Sequence, residues 1–240
     1  MEIKLGIART KKYTAETCGD AFDIVERPLG GITALLAAAQ GNGVTAKRIS
    51  YTVTNKAAEL LSQGTRDDAV PRMVHDYLYE QHEHKVSCSL TMLTADTEKE
   101  TIFISRNSSC PVLVKTDEYD CVYDDGVEPI GQNKHMKPQT YELPLEPGLV
   151  LAAYTDGVAH AGHRETRHYA DVEKYMQILR DNPPADSRYM ARAILEQALA
   201  FDKNHADEDM TVIVMSVTEG QDVSLADDVK IDHMTLVHRF

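Results

Sequence analysis

No two of the four cysteines, Cys18, Cys88, Cys110 and Cys121, form a C-x-x-C pair, so the chain offers no redox or finger motif, and the thiols are expected to be buried and reduced. Positive charge is scarce too: 25 Lys and Arg stand against 38 Asp and Glu, a formal net charge of -13. That balance argues against a general nucleic-acid or anionic-membrane surface and favours a protein, a small molecule or a cation as partner. No apolar run approaches membrane-spanning length, and "MEIKLGIART" lacks a basic region followed by an apolar core. The expectation is a soluble cytoplasmic protein, with no nucleic acid and no membrane among its partners. There is no internal repeat and no low-complexity linker to divide the chain.

What is present is 240 residues with 42% hydrophobic content, enough for a sizeable core. Ile3, Leu5 and Ile7 alternate, as do Val86, Cys88, Leu90 and Met92, then Ile102 and Ile104, Val112 and Val114, and Tyr141, Leu143 and Leu145. These predict half-buried strands. Helical spacing instead relates Ile49, Val53, Ala57 and Leu60, then Val70, Met73, Val74, Tyr77 and Leu78, then Val172, Tyr175, Met176 and Leu179, and finally Met190, Ile194, Leu195 and Ala198. The order is strands, two helices between about Val44 and His82, strands to about Tyr154, two helices, and a last strand "MTVIVMSV". Such clustering is not the alternation of a parallel sheet, and it predicts antiparallel sheets whose outer faces the helices cover. Residues 1–219 are expected to form one domain, and residues 220–240 a tail or an added edge strand.

Four stretches could carry chemistry. "CGDAFDIVE" places Asp20 and Asp23 before or inside a strand, where a Gly-Asp turn is the plain alternative. "LVLAAYTDGVAHAG" puts Asp156 at the mouth of a strand buried on both faces, well placed to hold a cation, with a turn aspartate as the alternative. His160, His163 and His168 follow, and without a second ligand cluster they read as solvated loop or helix-start residues rather than zinc ligands. "NHADEDMTVIVMSV" crowds Asp207, Glu208 and Asp209, which must be solvated or neutralised by a cation. The fourth is "TALLAAAQGNGVTAK", a strand, a glycine turn and a helix start, with Ala37, Ala38 and Ala39 where a polar group would be expected. Its "GNGVTA" formally satisfies a dinucleotide fingerprint. A second helix follows the first, however, so no βαβ unit closes within about 30 residues.

Taken together, "GDAFD", this glycine turn, "RNSSCPVLV", "PIG", "LEPGLVLAAYTDGV" and "DEDMTVIV" resemble the metal-dependent protein serine/threonine phosphatases of PPM type, in the branch of the sporulation phosphatase E and the stress-response sigma regulators. The resemblance spans about Ile3 to Val217. It implies an α+β fold, a four-layer α-β-β-α sandwich of two packed antiparallel sheets flanked by helical pairs. It also implies two divalent cations, Mn²⁺ or Mg²⁺, about 4 Å apart, which activate a water for in-line attack on phosphoserine or phosphothreonine. The implied metal residues are Asp20, the Ala39 backbone carbonyl, Asp156 and Glu208, with Asp209 in the adjacent acidic or amide position. The family's bridging aspartate falls on Ala38, which has no ligating side chain. One cation could be retained, the second would lose its main anchor, and hydrolysis is expected to be depressed by several orders of magnitude. The alanines fit either a disabled phosphatase or a pseudophosphatase that binds a phosphoprotein without hydrolysing it. The branch implies a phosphorylated regulatory protein as partner, such as an anti-anti-sigma factor of STAS type.

Overall fold

The computed structural model describes residues 1–163 and 171–220. His168 and the expected tail from residue 221 onward lie outside the described residues. Ten strands form two five-stranded antiparallel sheets. The first contains β1 (Glu2–Thr10), β10 (Met210–Thr218), β9 (Val150–Tyr154), β6 (Val112–Lys115) and β7 (Asp120–Tyr123) in that spatial order. The second contains β2 (Ala21–Glu26), β3 (Ile32–Ala39), β4 (Cys88–Asp96), β5 (Thr101–Asn107) and β8 (Gln139–Pro144). The two helices between β3 and β4 are α1 (Gly43–Ser62) and α2 (Val70–Gln81). After β9 come a single turn, α3 (Asp156–Ala159), and the longer α4 (Val172–Asp181) and α5 (Ser187–Phe201).

Why the strands stack as they do can be read from β3. Its side chains alternate between faces, so Ala34 and Leu36 enter the layer between the sheets, while Leu35 and Ala37 lie under Ile49, Val53 and Leu60 of α1. Both faces are buried, and a strict polar-apolar alternation would fail here. β9 and β10 do the same on the other side. Leu151, Ala153, Ile213 and Met215 face the second sheet, whereas Val150, Ala152, Val212 and Val214 pack under Tyr175, Leu179, Met190 and Ile194. The result is the expected α-β-β-α sandwich. Gly6 on β1 lets α5 begin directly against the sheet, because a Cβ there would meet the Ser187 carbonyl oxygen at 2.1 Å.

The expected element order holds, with local differences. β7 carries only four residues, exposed and half-buried in turn, too short and too wet for periodicity to reveal. Val86 lies before β4, which begins at Cys88. All four cysteines are free, but only Cys88 and Cys110 are buried; Cys18 and Cys121 are half-buried. No helix among the described residues is long and apolar enough to cross a membrane.

Candidate functional site

Toward one end of the sandwich the layer between the sheets turns polar. Thr155 continues the inward register of Leu151 and Ala153, Thr211 that of Ile213 and Met215, and Ala38 that of Ala34 and Leu36. Above this level opens a cleft of about 250 Å³ whose lining includes Asp20, Ala38, Ala39, Asp156, Glu208 and Asp209. The six residues to which the resemblance assigns the metal site therefore share one cleft. Asp23 lies in β2, and its carboxylate accepts from the amide of Ile24.

Asp20, only 4% exposed, sits just before β2. Its Oδ2 accepts hydrogen bonds from Thr155 Oγ1 at 2.9 Å and Thr211 Oγ1 at 2.8 Å, tying the edge of one sheet to two strands of the other. Burial pushes its carboxyl up to about 7, against the lowering effect of the two hydroxyls, and the charges of Asp156 and Asp209 push the same way. Asp156 opens α3, with Oδ1 accepting from the amide of Gly157. It meets solvent on the cleft side while protein crowds it from behind. That desolvation raises its carboxyl; His160 opposes the shift and Glu208 adds to it.

The two acids before β10 are already engaged. Lys12 Nζ lies 3.1 Å from both carboxylate oxygens of Glu208. The carboxylate of Asp209 accepts the backbone amides of Lys12 at 2.8 Å and Gly19 at 2.7 Å, fastening the connection between β1 and β2 to the start of β10. At the opposite wall, the amide of Ala39 donates to Ser50 Oγ of α1, and the carbonyl of Ala38 accepts from Ser89 Oγ. His160 and His163 are exposed.

Among the described residues, no group of three or more His, Cys, Asp or Glu is arranged to hold a metal ion. The residues present do not fit a pair of divalent ions. Ala38 brings a methyl to the wall, Glu208 carries an ammonium, and Asp209 spends its carboxylate on main-chain amides. Sequence reasoning missed Lys12, Thr155 and Thr211. The threonines were legible as polar residues in the inward register of buried strands. Arg106, which opens "RNSSCPVLV", follows Ile102 and Ile104 on β5, is fully buried, and braces the next turn by donating to the carbonyls of Ser108 and Cys110. Lys12 had no signal, since it lies in an irregular connection and meets Glu208 from 196 residues away.

The family profile of the Stage II sporulation protein E, SpoIIE, matches residues 28–218. The chain belongs to the SpoIIE family, one of metal-dependent protein serine/threonine phosphatases. Among solved structures, the PP2C phosphatase domain of SpoIIE from Bacillus subtilis, with a fragment of its regulatory domain, superposes with a TM-score of 0.77 at 18% identity. That match covers 90% of this chain and 64% of that one, so this chain spans a little under two thirds of its SpoIIE relative. The serine/threonine phosphatase PstP/Ppp of Mycobacterium tuberculosis matches with a TM-score of 0.69 at 12% identity, covering 90% and 99% of the two chains. RsbX, solved in complex with magnesium, matches with a TM-score of 0.68 at 12% identity, covering 90% and 96%. At these identities the structures show a shared PP2C fold. No curated protein matches the sequence significantly.

Proposed function

We propose that this SpoIIE-family domain recognises a phosphorylated regulatory protein in its acidic cleft and that its hydrolytic step is strongly impaired. The observation that carries the reading is Ala38, which stands in the cleft wall beside Asp20, Asp156 and Glu208; the resemblance assigns the family's bridging aspartate to this position. The magnesium in RsbX supports a divalent cation as the group this cleft descends from. Asp20 and Asp156 are the two carboxylates that could still hold a single Mg²⁺ or Mn²⁺ with waters, since Mg²⁺ commonly uses only one or two. In a complete site such ions acidify a water and neutralise charge on the phosphoryl group.

The chain's own residues do the rest. Thr155 and Thr211 hold the Asp20 carboxylate in place, and Asp209 fixes the loop that carries Lys12. The substrate class is a phosphoserine or phosphothreonine protein, with an anti-anti-sigma factor of STAS type as the specific candidate from the family branch.

The test is phosphate release from a phosphorylated STAS protein with Mn²⁺, for the chain as it stands and for the double substitution Ala38→Asp/Ala39→Gly. We expect turnover several orders of magnitude faster in the restored form. No release from either form sinks the enzyme reading. The engagement of Glu208 by Lys12 and of Asp209 by amides favours a second reading, a binding module without catalysis. It requires that phosphorylated partner bind more tightly than unphosphorylated partner while no phosphate is released by either form.

A further inference from the structure

Four carboxylates, those of Asp20, Asp156, Glu208 and Asp209, line one cleft. Such a set needs a counter-charge, and the fold supplies one from inside the chain. Lys12 is held at two points. Its backbone amide is bonded to Asp209, whose carboxylate is also fastened to Gly19. Its ammonium then reaches the neighbouring Glu208, equidistant from both oxygens. The side chain of Lys12 is 18% exposed against 42% for Glu208, so the ammonium is the more covered member of a pair at the edge of the cleft. A lysine ammonium is a compact point charge with three donors, suited to a carboxylate that would otherwise face a cation.

We propose that Lys12 is a resident cation of the cleft, occupying Glu208 in place of a divalent ion and so setting how weakly the cleft takes Mg²⁺ or Mn²⁺. The inference rests on the reading of this cleft as descended from a metal site. It concerns cation occupancy rather than phosphate release. An alanine at position 38 and the ammonium at Glu208 act in one direction: each leaves less negative charge available to a divalent ion. A metal entering near Glu208 must first displace Lys12, and the displaced ammonium would repel it.

The experiment is calorimetric titration of Mn²⁺ into the chain with Ala38 retained, alongside Lys12→Met and Lys12→Arg. Methionine keeps the apolar stem and the backbone amide; arginine keeps the charge. Lys12→Met is expected to bind Mn²⁺ about three- to fivefold more tightly than the parent, the scale of one partly exposed charge pair, and to gain more thermal stabilisation from added Mn²⁺. Lys12→Arg is expected to match the parent. Equal affinity of parent and Lys12→Met, or tightening in Lys12→Arg as well, overturns the proposal. Should Lys12→Met fail to fold, Lys12→Gln still decides: it removes the ammonium but keeps a polar side chain, and it should tighten Mn²⁺ binding in the same way, so an affinity equal to the parent's would refute the assignment. Neither result depends on whether the Ala38→Asp/Ala39→Gly form hydrolyses anything, so the two readings fail separately.

Discussion

At the scale of single residues the cleft is governed by close approach. Gly157, the third residue of the Thr-Asp-Gly turn, lies so near the start of β10 that a Cβ there would meet the Asp209 carbonyl oxygen at 2.1 Å and Met210 Cγ at 3.1 Å. The backbone is the obstacle, so a rotamer change cannot relieve it. Gly157→Ala is expected to cost about 2–3 kcal/mol and to lower the melting temperature by several degrees, whereas Gly126→Ala, with nothing within 4 Å of the added carbon, should be near neutral. Equal melting temperatures for the two variants would show that the wall between Asp156 and Asp209 yields freely. The same scale shows what the sequence disclosed. Asp20, Asp156, Glu208 and Ala38 were recognisable because each sits at a strand end in a short motif. The role of Asp209 as a main-chain fastener was not, because its partners Lys12 and Gly19 are 197 and 190 residues away.

At the scale of elements, legibility followed burial. A strand with one wet face, such as β8, and helices with one apolar stripe, such as α2 and α4, were read directly from periodicity. β7 was not, and α3 was read as strand end and loop because one turn carries too little pattern. At the end of β4 a polar network joins several elements. Asp96 accepts the amides of Glu98 and Lys99 at the β4–β5 turn and faces Lys99 Nζ and Arg27, while Arg27 also bonds Asp67 between α1 and α2. Burial alone would raise the Asp96 carboxyl, but the Lys99 amide, Arg27 and the Lys99 ammonium outweigh it and hold it below its ordinary value. A depressed folded value means that the ionised form stabilises the fold above the ordinary carboxylate range, and that this contribution disappears as pH falls through the lowered value. Asp96→Asn is therefore expected to cost about 1–2 kcal/mol at neutral pH and progressively less below about pH 4. Denaturant unfolding of both proteins across that range checks it, and a cost that does not shrink with acid would assign the loss to geometry rather than charge.

At the scale of the whole molecule the two sheets differ in how far along the chain their partners lie. In the second sheet β2 pairs with β3, β3 with β4 and β4 with β5, each with its predecessor across no more than the α1–α2 pair, and β8 joins β5 only after β6 and β7 have passed through the other sheet. The first sheet pairs opposite ends of the fold: β1 lies along β10, with Glu2 opposite Thr218 and Thr10 opposite Met210. Nearly the whole described chain must be closed into a loop before that ladder forms, and closure entropy opposes it until the rest of the core is in place. A chain of this size is expected to fold through populated intermediates. The second sheet with α1 and α2 should therefore acquire structure first, and β1 last, although β1 begins the chain. Because Lys12 and Gly19 flank the connection that Asp209 fastens, the cleft itself should be assembled only in that final step. Pulse-labelled hydrogen exchange during refolding, read by mass spectrometry, distinguishes the orders. Amides of β3 and β4 should be protected in an early phase, with those of β1 and β10 following together in the slow phase. Protection of β1 before or together with β3 would mean that the ends of the chain meet early and that sequence separation does not govern the assembly of this sandwich.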